Sequence, residues 1–95
     1  MTDAFVVRYR TTPETADENQ RLIEAVFSEL AATRPDSLQY QVMRLADGVT
    51  FVHVARGSEV LPAVSAFQEF QRGVGARVVA PPDASGATVV GSYQS

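Results

Sequence analysis

Polar and apolar positions alternate over Ala4–Arg10, with Phe5, Val7 and Tyr9 on one side and Val6, Arg8 and Arg10 on the other. A period of two predicts a half-buried strand. Thr12 before Pro13 supplies a capping residue and a proline suited to the first helical position, and Asp17 and Glu18 add negative charge where the helix dipole favours it. A capping box over residues 15–18 offers a start three residues later. Leu22, Ile23, Val26, Phe27, Leu30 and Ala31 then recur at helical spacing until Arg34-Pro35, which closes a helix of about five turns.

Residues 38–46 and 49–56 flank Asp47-Gly48, a hairpin signal, because a type I′ turn needs positive φ at both central positions. With Ala46 facing Val49, Arg44 faces Phe51, Val42 faces His53 and Tyr40 faces Ala55 on one side of the sheet. Gln39, Gln41, Met43, Leu45, Thr50, Val52, Val54 and Arg56 fall on the other. A second capping box, Ser65 to Gln68, opens a helix whose stripe is Phe67, Phe70, Val74 and Val78, weakened by Gly73 and Gly75. A loop through Pro81, Pro82, Asp83 and Gly86 leads to a last strand over residues 87–93.

This βαββαβ order predicts an α+β, ferredoxin-like domain spanning residues 1–95, a four-stranded antiparallel sheet with two helices on one face. The uncovered face would carry Val6, Met43, Leu45, Val52, Val54 and Val90, an apolar patch of the kind that marks an interaction surface. A homodimer joined through that face is the expectation, and a monomer whose C-terminal segment folds over the sheet is the alternative.

Composition narrows the chemistry. The 95 residues suit one domain, and the net charge of −3, with eight Arg and no Lys, leaves no basic surface for nucleic acid. The absence of Lys beside abundant Ala and Val suggests a GC-rich bacterial genome. Without cysteine there is no thiol nucleophile or thiolate metal site, and one histidine cannot build the usual transition-metal sets, so no metal is expected. Met1-Thr2-Asp3 has no basic leader character and no run of about 18 apolar residues occurs, which points to the cytoplasm and away from a membrane.

The Asp47-Gly48 hairpin followed by Phe51-Val52-His53-Val54, the helix of Ala66-Phe67-Gln68-Glu69-Phe70, the Pro81-Pro82 loop and Val89-Val90-Gly91-Ser92-Tyr93 together resemble the antibiotic biosynthesis monooxygenase domain. The resemblance implies a dimeric α+β barrel and oxygenation, without metal or flavin, of a small aromatic or polyketide-like metabolite held between sheet and helices. A related branch degrades haem, but the second helix here has no histidine to hold it. Two departures stand out: the chain has no Trp, and its only Asn, Asn19, lies on the first helix.

His53 shares a sheet side with Phe5, Val7, Tyr9, Tyr40, Val42 and Phe51, the more apolar side and the one assigned to the helices. A neutral imidazole there, with an ordinary pKa of about 6.5, suits it to take a proton from an acidic phenol or anthrone. The same residue also fits a structural role, hydrogen-bonded to a tyrosine or the backbone. Tyr9, Tyr40, Arg44 and Phe51 are the candidate ligand-binding residues, the tyrosines as donors and Arg44 as an anchor for an acidic group. A domain that binds a small ligand without turnover, or a purely structural module, are the readings to set against an oxygenase.

Overall fold

The computed structural model describes residues 3–93; Met1 and Thr2, part of the run read above for leader character, lie outside the described residues, as do Gln94 and Ser95. The elements are β1 (Ala4–Arg10), α1 (Ala16–Thr33), β2 (Gln39–Arg44), β3 (Thr50–Arg56), a 3-10 helix (Ser58–Ala63), α2 (Ser65–Arg72), α3 (Val74–Arg77) and β4 (Asp83–Ala87). The four strands form one antiparallel sheet in the order β2-β3-β1-β4, so the α+β, ferredoxin-like arrangement is observed.

The β2–β3 register is the one read from the sequence: Tyr40 opposite Ala55, Val42 opposite His53, Arg44 opposite Phe51. On β1, Val7 faces His53 and Tyr9 faces Phe51. Directly opposed residues share a sheet face, so Tyr9, Tyr40, Phe51 and His53 all point toward the helices. There Tyr9, Phe51, Ile23, Val26, Val64 and Phe70 form the core, with Val26 and Phe51 each only 1% exposed.

The turn chemistry differs from the expectation. Gly48 has φ +78° but Asp47 is not in the left-handed region, which excludes a type I′ turn. Gly48 N–H instead donates to the Leu45 carbonyl at 2.9 Å, and the Asp47 carboxylate accepts from Val49 N–H, Thr50 N–H and the Thr50 hydroxyl at 3.0, 2.9 and 2.6 Å. The aspartate closes the loop through its side chain, so Ala46 and Val49 do not pair as ladder residues.

Neither reading of the α1 start holds fully. Pro13 lies in a turn closed by Thr15 N–H on the Thr12 carbonyl at 3.1 Å, and the helix begins at Ala16. Thr15 occupies the cap position without capping: its hydroxyl donates to the Arg77 carbonyl at 3.0 Å, tying α1 to α3. Arg34 ends the helix in the left-handed conformation, φ 49°, just before Pro35. The second helix breaks at Gly73 into α2 and α3. Its capping box is also absent: Ser65 is already helical, and the carboxylate that receives the first N–H groups comes from Glu29 on α1.

The last strand lies earlier than residues 87–93. The chain already meets the sheet at Val78, bridged to Thr11, and Val79 N–H donates to the Arg10 carbonyl at 2.9 Å. Running back along β1 from Asp83 opposite Arg8, it reaches Ala4 at Ala87, where β1 ends. Val89 and Val90 therefore have no β1 partner, and Val90, expected on the open face, is 98% exposed beyond β4. Tyr93 is exposed too.

On the uncovered face two rows cross all four strands, Gln41–Val54–Val6–Ser85 and Met43–Val52–Arg8–Asp83, and the pairs Gln39–Arg56, Ala4–Ala87 and Arg10–Thr50 lie at their margins. Valines occupy the middle of the sheet, with Met43 exposed beside them and charge confined to Arg8 and Asp83 within these rows. Among the described residues, no helix is long and apolar enough to cross a membrane.

Candidate functional site

A cavity of about 370 Å³ opens between the sheet and the helices. Its floor is Phe5, Val7, Tyr9, Tyr40 and His53, and its roof is Leu61, Phe67, Phe70 and Val74. A mostly apolar chamber of this size with a few convergent polar groups suits a small organic molecule.

His53 sits in the floor, 7% exposed, with both ring nitrogens engaged. Tyr9 Oη lies 2.7 Å from Nε2, and Tyr40 Oη lies 2.7 Å from Nδ1. The Phe70 ring covers the imidazole at 5.5 Å between centroids, while Phe51 stacks on Tyr9 at 5.7 Å and Phe27 on Tyr40 at 5.1 Å. Burial disfavours the charged imidazole and lowers the His53 pKa to about 4, so the ring is neutral at pH 7. Burial likewise raises Tyr9 to about 12 and pushes Tyr40 up further, keeping both phenols protonated. With a tyrosine hydroxyl on each nitrogen, the imidazole has no unengaged nitrogen, which is the hydrogen-bonded arrangement weighed against the direct-base role.

Two site residues were missed by sequence reasoning. Asn19, fully buried on α1, donates from Nδ2 to Tyr9 Oη at 2.9 Å. Arg77, 4% exposed on α3, donates from Nε to Asn19 Oδ1 at 2.9 Å and from Nη2 to the Phe70 carbonyl at 2.8 Å. Its guanidinium lies 5.1 Å from the Phe70 ring centre. Asn19 precedes Ile23 and Val26 at helical spacing, so it is the polar member of a buried stripe, and that was the available signal. Its position on a helix does not remove it from the strands, since it reaches the sheet through Tyr9. Arg77 carried no comparable mark.

Arg44 and Phe51 do not line the cavity. Arg44 donates to Asp17 at 3.0 Å, Gln20 at 2.7 Å and the Gly48 carbonyl at 2.9 Å, and its guanidinium lies over the Phe51 ring at 5.6 Å. It braces β2 against α1. Phe51 is packed behind Tyr9 in the core. Of the candidates, then, Tyr9, Tyr40 and His53 come together and the other two stand apart. Among the described residues, no group of three or more His, Asp or Glu side chains is placed to hold a metal ion.

No protein-family profile matches the chain, and neither does any curated protein. Solved structures do match. Rv0793 from Mycobacterium tuberculosis superposes with a TM-score of 0.72 at 17% identity, over 99% of this chain and 100% of that one. A crystal structure named antibiotic biosynthesis monooxygenase gives 0.71 at 14% identity, over 93% and 98%. SnoaB, a cofactor-independent oxygenase from Streptomyces nogalater, gives 0.63 at 15% identity, over 94% and 93%. The chain has the fold of the antibiotic biosynthesis monooxygenase structures, and at these identities the likeness speaks for the fold.

Proposed function

We propose that the protein is a small homodimeric oxygenase, working without a cofactor on an aromatic, oxygen-bearing metabolite bound between sheet and helices. The observation that carries this reading is the aromatic-lined cavity of about 370 Å³ with the Tyr9–His53–Tyr40 cluster in its floor. The fold shared with a cofactor-independent oxygenase supports it. A substrate of the anthrone or quinol type is acidic enough to lose a proton to solvent water, and a hydrogen bond from Tyr40 favours the oxyanion that remains. The anion reduces O2; in the anthrone case the ring CH2 becomes C=O, with one oxygen atom entering the product and the other leaving as water with the two hydrogens. His53 serves here by holding Tyr40 in place.

The test is oxygen uptake with an anthrone, together with quinone formation. Turnover that falls at least ten-fold in His53→Ala and Tyr40→Phe supports the reading. Turnover absent in the wild-type protein at every substrate tried, alongside saturable binding, supports a second reading, ligand binding without reaction. That second reading is favoured by one observation, the occupation of both imidazole nitrogens by tyrosines.

The dimer of this reading joins two copies through the open face, around Val6, Met43, Leu45, Val52 and Val54. In favour of a second copy as the occupant, Arg8 and Asp83 lie side by side on that face, so a two-fold contact can set each basic group near an acidic one.

A further inference from the structure

The buried polar chain has a direction, and that direction is set at its far end. A guanidinium has only donors, so Arg77 Nε–H can meet the Asn19 side chain only at its carbonyl oxygen. Asn19 Nδ2 is therefore the group that faces Tyr9 Oη and donates to it. Among the described residues His53 Nε2 is the other partner of Tyr9 Oη, at 2.7 Å, so in the inferred arrangement the single hydrogen of Tyr9 goes there. A neutral imidazole that accepts at Nε2 carries its hydrogen on Nδ1, and that hydrogen goes to Tyr40 Oη. Tyr40 accepts and keeps its own hydroxyl hydrogen for another partner. Among the described residues its oxygen makes this one hydrogen bond, and Tyr40 is one of the residues that line the cavity.

We propose that Arg77, acting through Asn19, Tyr9 and His53, polarises this chain so that Tyr40 offers its hydrogen to the cavity, making the site a receptor for an acceptor oxygen. A ketone or quinone carbonyl, or a phenolate, on an otherwise apolar ligand is the matching chemistry. Arg77 and Asn19 are positioning residues. The seat of Arg77 is built for it: the Phe70 carbonyl and ring hold the guanidinium, and a Cβ at residue 73 would stand 2.9 Å from Nη1, so Gly73 leaves the space that the side chain uses. The ligand half of the proposal rests on the small-ligand reading above; the polarity does not.

The polarity is read in the ligand-free protein from the 15N shifts of the His53 ring. The wild type is expected to show the Nδ1–H tautomer. In Asn19→Asp the carboxylate accepts from Arg77 and from Tyr9 together, Tyr9 turns its hydrogen toward α1, and His53 changes to the Nε2–H tautomer. Arg77→Lys, also donor-only, retains Nδ1–H, whereas Arg77→Met gives a mixture. An Nε2–H wild type, or an unchanged tautomer in Asn19→Asp, overturns the proposal. For the ligand half the probe is 1-tetralone, which accepts and cannot donate. Its carbonyl stretch is expected to shift down on binding, and Tyr40→Phe to abolish that shift and weaken binding about ten-fold. Binding with no carbonyl shift overturns the Tyr40 assignment. No binding, with the tautomers as expected, overturns the acceptor-oxygen receptor and leaves the polarity standing.

Discussion

Tyr9 and His53 are not register partners, yet the tyrosine hydroxyl crosses the sheet diagonally to lie 2.7 Å from the imidazole Nε2. Tyr9 is paired with Phe51 and His53 with Val7, so the contact runs between neighbouring rungs on the same face. Such a diagonal is within reach of an aromatic side chain. It gives a buried neutral imidazole a hydrogen-bond partner where bulk water would otherwise supply one.

That burial has a thermodynamic consequence at low pH. The folded-state pKa of His53 is depressed from 6.5 to about 4, so between these values the unfolded chain binds a proton that the folded one does not. Stability therefore falls as pH drops through this window, by up to about 3 kcal/mol in total, with no contribution from His53 above it and a constant penalty below it. Urea denaturation of wild type and His53→Gln from neutral pH down to about pH 4 checks this. The difference between the two curves is expected to change steadily across the window; a constant difference would refute it.

Glu29 on α1 accepts from the N–H groups of Ser65 and Ala66 at 3.0 and 2.8 Å, acting as the cap that α2 lacks in its own sequence. Removing it leaves two donors at the positive end of the helix dipole. Glu29→Ala is expected to cost about 1–2 kcal/mol, and Glu29→Gln less, since the amide oxygen still accepts. Equal stability of Glu29→Ala and wild type in urea would count against the cap.

Two glycines with positive φ separate backbone strain from steric exclusion. Gly48, φ +78°, has open space where a Cβ would stand, whereas a Cβ on Gly57, φ +68°, would run into the Ser37 carbonyl. Gly48→Ala is expected to lose about 1 kcal/mol, the left-handed cost alone. Gly57→Ala must also displace the segment before β2 and is expected to lose at least about twice that. Thermal melts of the pair decide it, and comparable losses would show that the Ser37 segment yields freely.

Strand register and the sheet side of His53 were legible because period-two patterning and short separation across the hairpin leave little choice. The position of β4 was not. Residues 87–93 are the better strand formers, but β1 ends at Ala4, and pairing from Asp83 exhausts it by Ala87. Tertiary geometry overrode propensity there. The same holds at the site. Tyr9, Tyr40 and His53 could be placed on one face by counting, whereas Arg77 reaches Asn19 across 58 positions of chain. Nothing in local spacing encodes that contact; it follows from Thr15 and Thr12 both holding the Arg77 carbonyl against the start of α1.

The homodimer can be tested at a residue whose role in a monomer would be minor. Val54 sits centrally on the open face, half-buried, between Gln41 and Val6. In an isolated chain a glutamate there would keep its carboxylate in water, and the change would stay within about 0.5 kcal/mol. In a two-fold contact two such carboxylates are buried against apolar partners, at a cost of several kcal/mol that no favourable pairing offsets. Wild type is therefore expected to sediment as a dimer at micromolar concentration and Val54→Glu as a folded monomer with an unchanged far-ultraviolet spectrum. A wild-type chain that remains monomeric, or a Val54→Glu chain that remains dimeric, would remove this face as the interface.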